Sequence, residues 1–440
     1  MPAARTLENP SRSRGPGAPG SGAAMADAGG DDELAAPGRP VAVSRARSSA
    51  TISAPGARRP GGLHPAPRRS PRGLMPHDPR RFVDPGSAGR SRRAFLGGLA
   101  AGAAGAALLG PSSAFAEAVP SLAAKPPPGF TPLSIPGKIV KVTKANSLQP
   151  NGLWPDASAA KVMLERVMAE LTGKADLGAA FGRFVHKDDR VAIKANGIAG
   201  QKGATMATNK ELVLEIVRGV IAAGVPAENV MIFEQYPSFL AGTRCADRTA
   251  KPAAEFPAGI RAAVHENKDA VMPSITVCGI PTKFVRPFTE ATAVINVSLI
   301  KDHSICGYTG CLKNITHGAT INPHSFHEHT ASPQIAELYA QDVVKSRVRL
   351  HITDGFKLIY DQGPLDKNPK RRVLHESVYA TTDPVAMDVI GWGVVEGWRK
   401  ENGLPTLKEA SREPSYIRIA GELGLGVFDK NKIAMREVRL

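Results

Sequence analysis

The stretch Lys301 to His329, KDHSICGYTGCLKNITHGATINPHSFHEH, concentrates more reactive side chains than any other part of the chain. Five of the nine histidines after residue 116 lie in it: His303, His317, His324, His327 and His329. Lys301, Asp302, Cys306, Cys311 and Lys313 stand among them. Imidazole and thiolate nitrogen and sulfur atoms ligate zinc, copper, nickel or iron. The spacing His324-x-x-His327-x-His329 brings two or three imidazoles together if the segment is extended or tightly turned. A solvated polar loop is the plain alternative. Lys313, in Gly310-Cys311-Leu312-Lys313-Asn314, sits at a loop-to-helix turn. A lysine there can carry an anionic group, exchange a proton or hold a cofactor covalently, or simply be solvated. Cys306 and Cys311 admit a disulfide, metal ligation or plain packing, and export to an oxidising compartment favours the disulfide.

Smaller clusters accompany this run. Lys194-Ala195-Asn196-Gly197 follows the apolar segment RVAIK, and the glycine- and hydroxyl-rich turn Gly203–Thr208 precedes a helix. Such a turn can present backbone N–H groups to an anion, or serve only as a connection capped by Thr208. Neither G-x-G-x-x-G nor a P-loop is present, so no nucleotide is indicated. Asp354, at the end of VRLHIT, is a candidate catalytic or orienting carboxylate, whereas Asp383 reads as a helix cap with Asp388 one turn further on.

These residues need a frame, and the patterning supplies an α/β one. Strand-like Lys138–Lys144, Arg190–Lys194 and Asn229–Phe233 alternate with helical spacing over Ala157–Leu171 and Asn209–Ala223. Ala293–Leu299, Val348–Thr353 and Ser377–Thr381 read as further strands, Pro384–Arg399 as a helix, and Ile433–Leu440 as a last strand. The alternation predicts a mostly parallel sheet with helices on both faces. Ligands of such sheets sit beyond the carboxyl ends of the strands, which is where the 301–329 loop begins. The region from Gln235 to Ser274 shows weak patterning and is left unassigned.

Composition divides the chain further. Residues 1–90 contain no Lys and are rich in Pro, Gly, Ser, Ala and Arg. They read as a disordered or non-native extension, because nothing in them repays the entropy of ordering. Residues 1–93 hold 16 Arg against 7 acidic residues, which is +9 of the chain's net +16. A translation start at Met75 accounts for this tail without a role for it, so no nucleic-acid partner is expected. Ser91-Arg92-Arg93-Ala94-Phe95-Leu96, the weakly apolar run to Leu109 and Ala114-Phe115-Ala116 form a twin-arginine signal over residues 91–116, cleaved near Ala116. The run falls short of the roughly 20 strongly apolar residues of a bilayer span, so no stable membrane anchor is expected after cleavage. The partners implied are the twin-arginine translocation machinery, signal peptidase and a small-molecule substrate or ligand. This route carries folded cargo to the periplasm or its equivalent, commonly cargo with an inserted cofactor. Residues 117–136, with six prolines, read as a stiff linker, and residues 137–440 as the working domain.

The set IKAN (193–196), LIKDH (299–303), GYTGCLKN (307–314), ITDG (352–355), QGP (362–364) and TTDPVAMD (381–388) resembles the family known as domain of unknown function 362, over roughly 138–426. Ala195 stands where that family more often has proline. GYTGCLK followed by Asn322 to His329 is also similar to the loop of nickel-pincer lactate racemases, with Cys311 in place of a glycine. That resemblance implies a lysine carrying an organometallic cofactor (Lys313), a preceding acid/base histidine (His303) and a following metal ligand (His329). It supplies no counterpart for that family's other acid/base histidine, and one imidazole suits metal-assisted redox or hydrolysis better than racemisation. The expectation is an exported enzyme, an isomerase or oxidoreductase, using a transition metal (nickel, zinc or iron) or an organometallic cofactor. His303, Lys313 and Asp354 are its candidate catalytic residues. Lys194, Asn196, Lys313 and Asn314 are assigned to the cofactor, and His324, His327 and His329 to a metal. A non-catalytic metal- or ligand-binding protein using the same loop is the alternative.

Overall fold

The computed structural model describes residues 122–265 and 272–440, so the N-terminal extension, the expected export signal and the start of the proline-rich segment lie outside the described residues. Eleven strands are formed: β1 (Lys138–Thr143), β2 (Val191–Lys194), β3 (Val230–Glu234), β4 (Arg261–Val264), β5 (Ile275–Val277), β6 (Ile280–Thr282), β7 (Ala293–His303), β8 (Gly307–Thr309), β9 (Val348–Ile359), β10 (Arg372–Thr381) and β11 (Ala434–Arg439). Nine of them make one sheet in the order β11-β1-β10-β9-β7-β2-β3-β4, with β8 folded back on β7, while β5 and β6 pair separately. Strands β9, β7, β2, β3 and β4 run parallel, as do β1 and β11, and β10 is antiparallel to both its neighbours. This is the mostly parallel α/β sheet that the alternation predicts.

Strand pleating divides the core into two layers. Val191, Ile193, Val230 and Ile232 face the helices Ala157–Thr172, Leu177–Phe181 and Lys210–Ala222. Ala192, Met231 and Phe233 belong to the layer with Cys311–Ala319, Gln334–Tyr339, Pro384–Glu401 and Tyr416–Glu422. Local signals place the helix ends. Asp156 accepts from Ala159 N–H at 3.0 Å, and Gly173 closes that helix at φ +71°. Asp383 caps Pro384–Glu401 by accepting from Ala386 N–H at 2.8 Å. Among the described residues, no helix is long and apolar enough to cross a membrane.

Three expectations need revision. Strand β7 runs four residues past Leu299 and β9 six past Thr353. Polar residues at 301–303 and 354–355 interrupt the apolar runs, which hid the extensions, but both are paired and buried. Asp354 therefore lies inside a strand and not at its end. The proline-rich residues 122–136 lie along the domain, with Leu133 N–H donating to Arg183 O at 2.8 Å and Ile135 N–H to Thr382 Oγ1 at 2.8 Å.

The chain order fixes where a ligand belongs. From β2 the chain steps outward through β3 to β4, then returns to β7 on the other side of β2 and proceeds to β9. The order reverses between β2 and β7, and the crevice beyond their carboxyl ends is the usual ligand position of such sheets. Below the opposite ends, Arg349 holds Asp189 through Nη1 at 2.6 Å and Nη2 at 3.1 Å, both side chains buried. Replacing Arg349 with Leu strands the Asp189 carboxylate and is expected to cost about 3–5 kcal/mol. Urea unfolding of the domain checks this, and a loss under 1 kcal/mol would contradict it.

Candidate functional site

The carboxyl ends of β2, β3 and β7 meet at one cleft of about 420 Å³, counted out to its open mouth. Lys194 and Asn196 come from the end of β2, Glu234 and Gln235 from that of β3, and Lys301 and His303 from that of β7. The helix Cys311–Ala319 closes one side and contributes Lys313, Asn314 and His317. Gly307, at φ +73°, lets the chain reverse between β7 and β8, which returns Thr309 beside Lys301.

Lys313 Nζ lies 3.3 Å from His303 Nε2 and 2.9 Å from His327 Nε2. The tautomers of the two rings follow from their other partners. His303 Nδ1 accepts from the N–H groups of Ile305 (3.1 Å) and Cys306 (3.4 Å), so the neutral ring carries its proton on Nε2. His327 Nδ1 donates to Pro323 O at 2.9 Å, which leaves its Nε2 bare. Burial pushes His303 well below the usual histidine range and His327 down to about 4, so both are neutral, and any charge on Lys313 acts in the same direction. Lys313 Nζ thus faces one N–H donor and one acceptor. An ammonium has no lone pair for the donor, whereas a neutral amine satisfies both. Burial also lowers the pKa of Lys313, in the same direction. The His317 ring packs edge-on against that of His327, with centroids 4.6 Å apart.

A second feature runs inward from the cleft. Lys301 Nζ donates to Asn196 Oδ1 (2.9 Å), Asn196 Nδ2 to Asn314 Oδ1 (3.0 Å), and Asn314 Nδ2 to Asn296 Oδ1 (2.7 Å). Asn296 Nδ2 donates to His351 Nδ1 (2.9 Å), and His351 Nε2 to Tyr339 Oη (3.2 Å). All of these side chains are buried. Lys194 reaches Glu234 Oε1 at 3.1 Å, and Glu234 also accepts from Gly197 N–H at 2.8 Å. Burial pulls Lys301 down to about 7 against the opposing pull of Glu234.

The helix bearing Lys313 is held from behind. Asp388, buried in the helix Pro384–Glu401, accepts from Cys311 N–H at 2.6 Å and Leu312 N–H at 3.1 Å. Its carboxylate lies against Gly310, where a Cβ would collide with it, and this explains the glycine of that turn. Beneath His303, Asp302 accepts from Gly363 N–H at 2.9 Å and Arg412 Nη1 at 2.6 Å, and Arg412 also donates to His303 O at 3.0 Å.

The structure thus brings Lys194, Asn196, Lys313, Asn314, His303 and His327 together and leaves others apart. Asp354 is outside the cleft lining; its carboxylate binds Asn209 N–H (2.7 Å) and Nδ2 (2.9 Å), fastening the start of Lys210–Ala222 to β9. His324 and His327 ring centroids are 6.4 Å apart, and His329 is exposed. Among the described residues no three His, Cys, Asp or Glu side chains form a metal-ligand group, and the Nε2 atoms of His303 and His327 are committed to Lys313. The donors as arranged do not fit a metal, and no step below runs through one. The favoured disulfide is absent: Cys306 and Cys311 are buried free thiols, one on Tyr308 O (3.3 Å), the other on Ser298 Oγ (3.3 Å). Glu234 and Gln235 were not foreseen, although they directly follow the predicted strand Asn229–Phe233 and the rule that singled out Lys194 applies to them equally.

Removing the Asp388 carboxylate leaves two buried amides without acceptors. The Asp388→Ala variant is expected to lose about 2–4 kcal/mol in urea unfolding, and Asp388→Asn, which keeps one acceptor oxygen, less. Equal losses for the two would argue against the capping role.

No curated protein matches the chain. Residues 191–393, from β2 into the helix Pro384–Glu401, match the model of the family described as Domain of unknown function (DUF362). This match is narrower than 138–426 but contains all six motifs, and over these residues the chain is similar to that family.

Proposed function

We propose that this chain is an enzyme exported by the twin-arginine route that acts on small carbonyl compounds through the amine of Lys313. The observation that carries the reading is Lys313 Nζ between a donating and an accepting imidazole, an arrangement that a neutral amine satisfies. A free amine at neutral pH is a nucleophile, whereas an ordinary lysine, with a pKa of about 10.4, is nearly all ammonium there. Its lone pair forms a bond to the carbonyl carbon while the C=O π pair moves to oxygen. His327 Nε2 is placed to take the proton that Nζ sheds and to return it to the oxygen, which His303 Nε2–H holds by a hydrogen bond. Loss of water then leaves a C=N bond. The imine withdraws electrons from the adjacent carbon and acidifies its C–H, so an imidazole can move that proton. Isomerisation by proton transfer is the reaction class that follows. Of the expected cofactor dependence, covalent attachment at Lys313 uses the same amine, while the expected metal has no ligand group among the described residues.

Mature protein is mixed with acetone at pH 7, treated with sodium borohydride and measured by intact and peptide mass. One isopropyl adduct on Lys313 is expected, absent from Lys313→Met. Label spread over surface lysines, or unchanged in that variant, would sink the reading. Deuterium exchange at the methyl carbons of acetone, followed by NMR, separates catalysis from binding. Exchange that falls at least tenfold in His327→Gln supports an enzyme, and an adduct without exchange supports a ligand-binding protein.

A further inference from the structure

The cleft holds more polar capacity than the amine chemistry uses. Gln235 Nε2 and Thr309 Oγ1 are buried in its lining without a hydrogen-bond partner, their residues 8% and 5% exposed. Unpaired buried polar atoms are uncommon and call for an explanation. Lys301 has one described hydrogen bond, to Asn196, and a lysine ammonium carries three donors. Lys301 and Thr309 are cross-strand partners of β7 and β8, so their side chains leave the hairpin on the same face.

Charge points the same way. The lining contains three lysines, Lys194, Lys301 and Lys313, against one carboxylate, Glu234. Lys194 is paired with Glu234, and on the amine reading above Lys313 adds no charge. One positive charge, that of Lys301, is left without a counterion. A carboxylate carries one negative charge, whereas a phosphate monoester brings about 1.5 to 2 at neutral pH. The surplus matches the carboxylate.

We infer that Lys301, Gln235 and Thr309 form an oxyanion subsite that receives the carboxylate of a small oxo acid while its carbonyl carbon meets Lys313. The carboxylate accepts from the ammonium, the carboxamide N–H and the hydroxyl, which uses both unpartnered groups and a further donor of Lys301. The carbonyl half and the count of one surplus charge rest on the amine reading above; the subsite itself stands on the unpaired donors beside Lys301. Lys301 faces Glu234 on β3, Lys194 on β2, Lys313 on the helix Cys311–Ala319, and the thiol of Cys306. Burial brings its pKa to about 7, so the ammonium is lost as pH rises through that value, and anion affinity falls with it.

The test uses pyruvate as probe and the Lys313→Met protein, in which no imine can form, followed by titration calorimetry at pH 6.5. Pyruvate is expected to bind this protein, and the added change Lys301→Met to weaken it about tenfold or more. Gln235→Leu and Thr309→Val, tested separately, should each weaken it several-fold. These two guard against misfolding of the lysine variant, and near-ultraviolet circular dichroism reports the fold of all of them. Affinity should decline from pH 6.5 to 8.5, and inorganic phosphate should compete less well than acetate. Pyruvate binding that is indifferent to Lys301, Gln235 and Thr309, no binding at all, or phosphate outcompeting acetate would overturn the carboxylate subsite. Lys301-dependent binding together with failed borohydride trapping of the wild type would instead retire the amine reading and leave the subsite standing.

Discussion

Everything in the cleft depends on where one short helix begins. Cys311–Ala319 has nine residues, too few to be stable alone, and its first amides would be unsatisfied where it is buried. Asp388 supplies the missing acceptor from a helix more than seventy residues later in the chain. That contact sets the rotation of the helix, which places Lys313 between the two imidazoles and Asn314 between two other asparagines. The glycine before the helix admits the carboxylate, and the helix Pro384–Glu401 that bears it is fixed in turn by its own cap, Asp383. A carboxylate that never lines the cleft therefore decides what the cleft contains.

The site also shows how burial selects protonation states without any strong acid nearby. Three lysines and three histidines crowd the carboxyl edge of the sheet with one carboxylate among them. Were all of them charged, their repulsion in a desolvated space would be prohibitive. Neutral imidazoles, a lowered pKa at Lys313 and a compensated Lys194 relieve that repulsion. The backbone contributes as much as the side chains: the amides of Ile305 and Cys306 and the carbonyl of Pro323 settle which ring nitrogen bears hydrogen. These are hairpin and loop groups, so the shape of the loop and the chemistry of its histidines are one problem.

Much of this was legible beforehand, for definable reasons. The apolar runs of β1, β2 and β3 and the helical spacing of 157–171 gave their elements to within a residue or so, because burial and periodicity agree there. The motifs converge as a group. IKAN supplies Lys194 and Asn196, LIKDH supplies Lys301 and His303, GYTGCLKN supplies Lys313 and Asn314, and QGP braces Asp302 through Gly363. What was not legible depends on tertiary pairing. Polar residues at 301–303 and 354–355 interrupt the apolar runs of β7 and β9, so Asp354 was set at a tip when it lies within β9 and secures Asn209. Glu234 and Gln235 open a weakly patterned segment that offers no motif. The histidine spacing 324–327–329 suggested a cluster, but the backbone turns through a left-handed residue at His329 and leaves that ring exposed.

The asparagine series reaching inward from Lys301 has a further consequence. Each carboxamide is oriented by its neighbours, with every N–H pointing away from the lysine and every oxygen toward it. Carboxamides neither gain nor lose protons readily near neutral pH. The chain is therefore an insulator rather than a wire: His351 and Tyr339, though joined to the cleft by an unbroken series of contacts, cannot exchange protons with it. Along this series no proton passes inward from Lys301, and the polar interior of the sheet stays separate from the titrating groups at its edge.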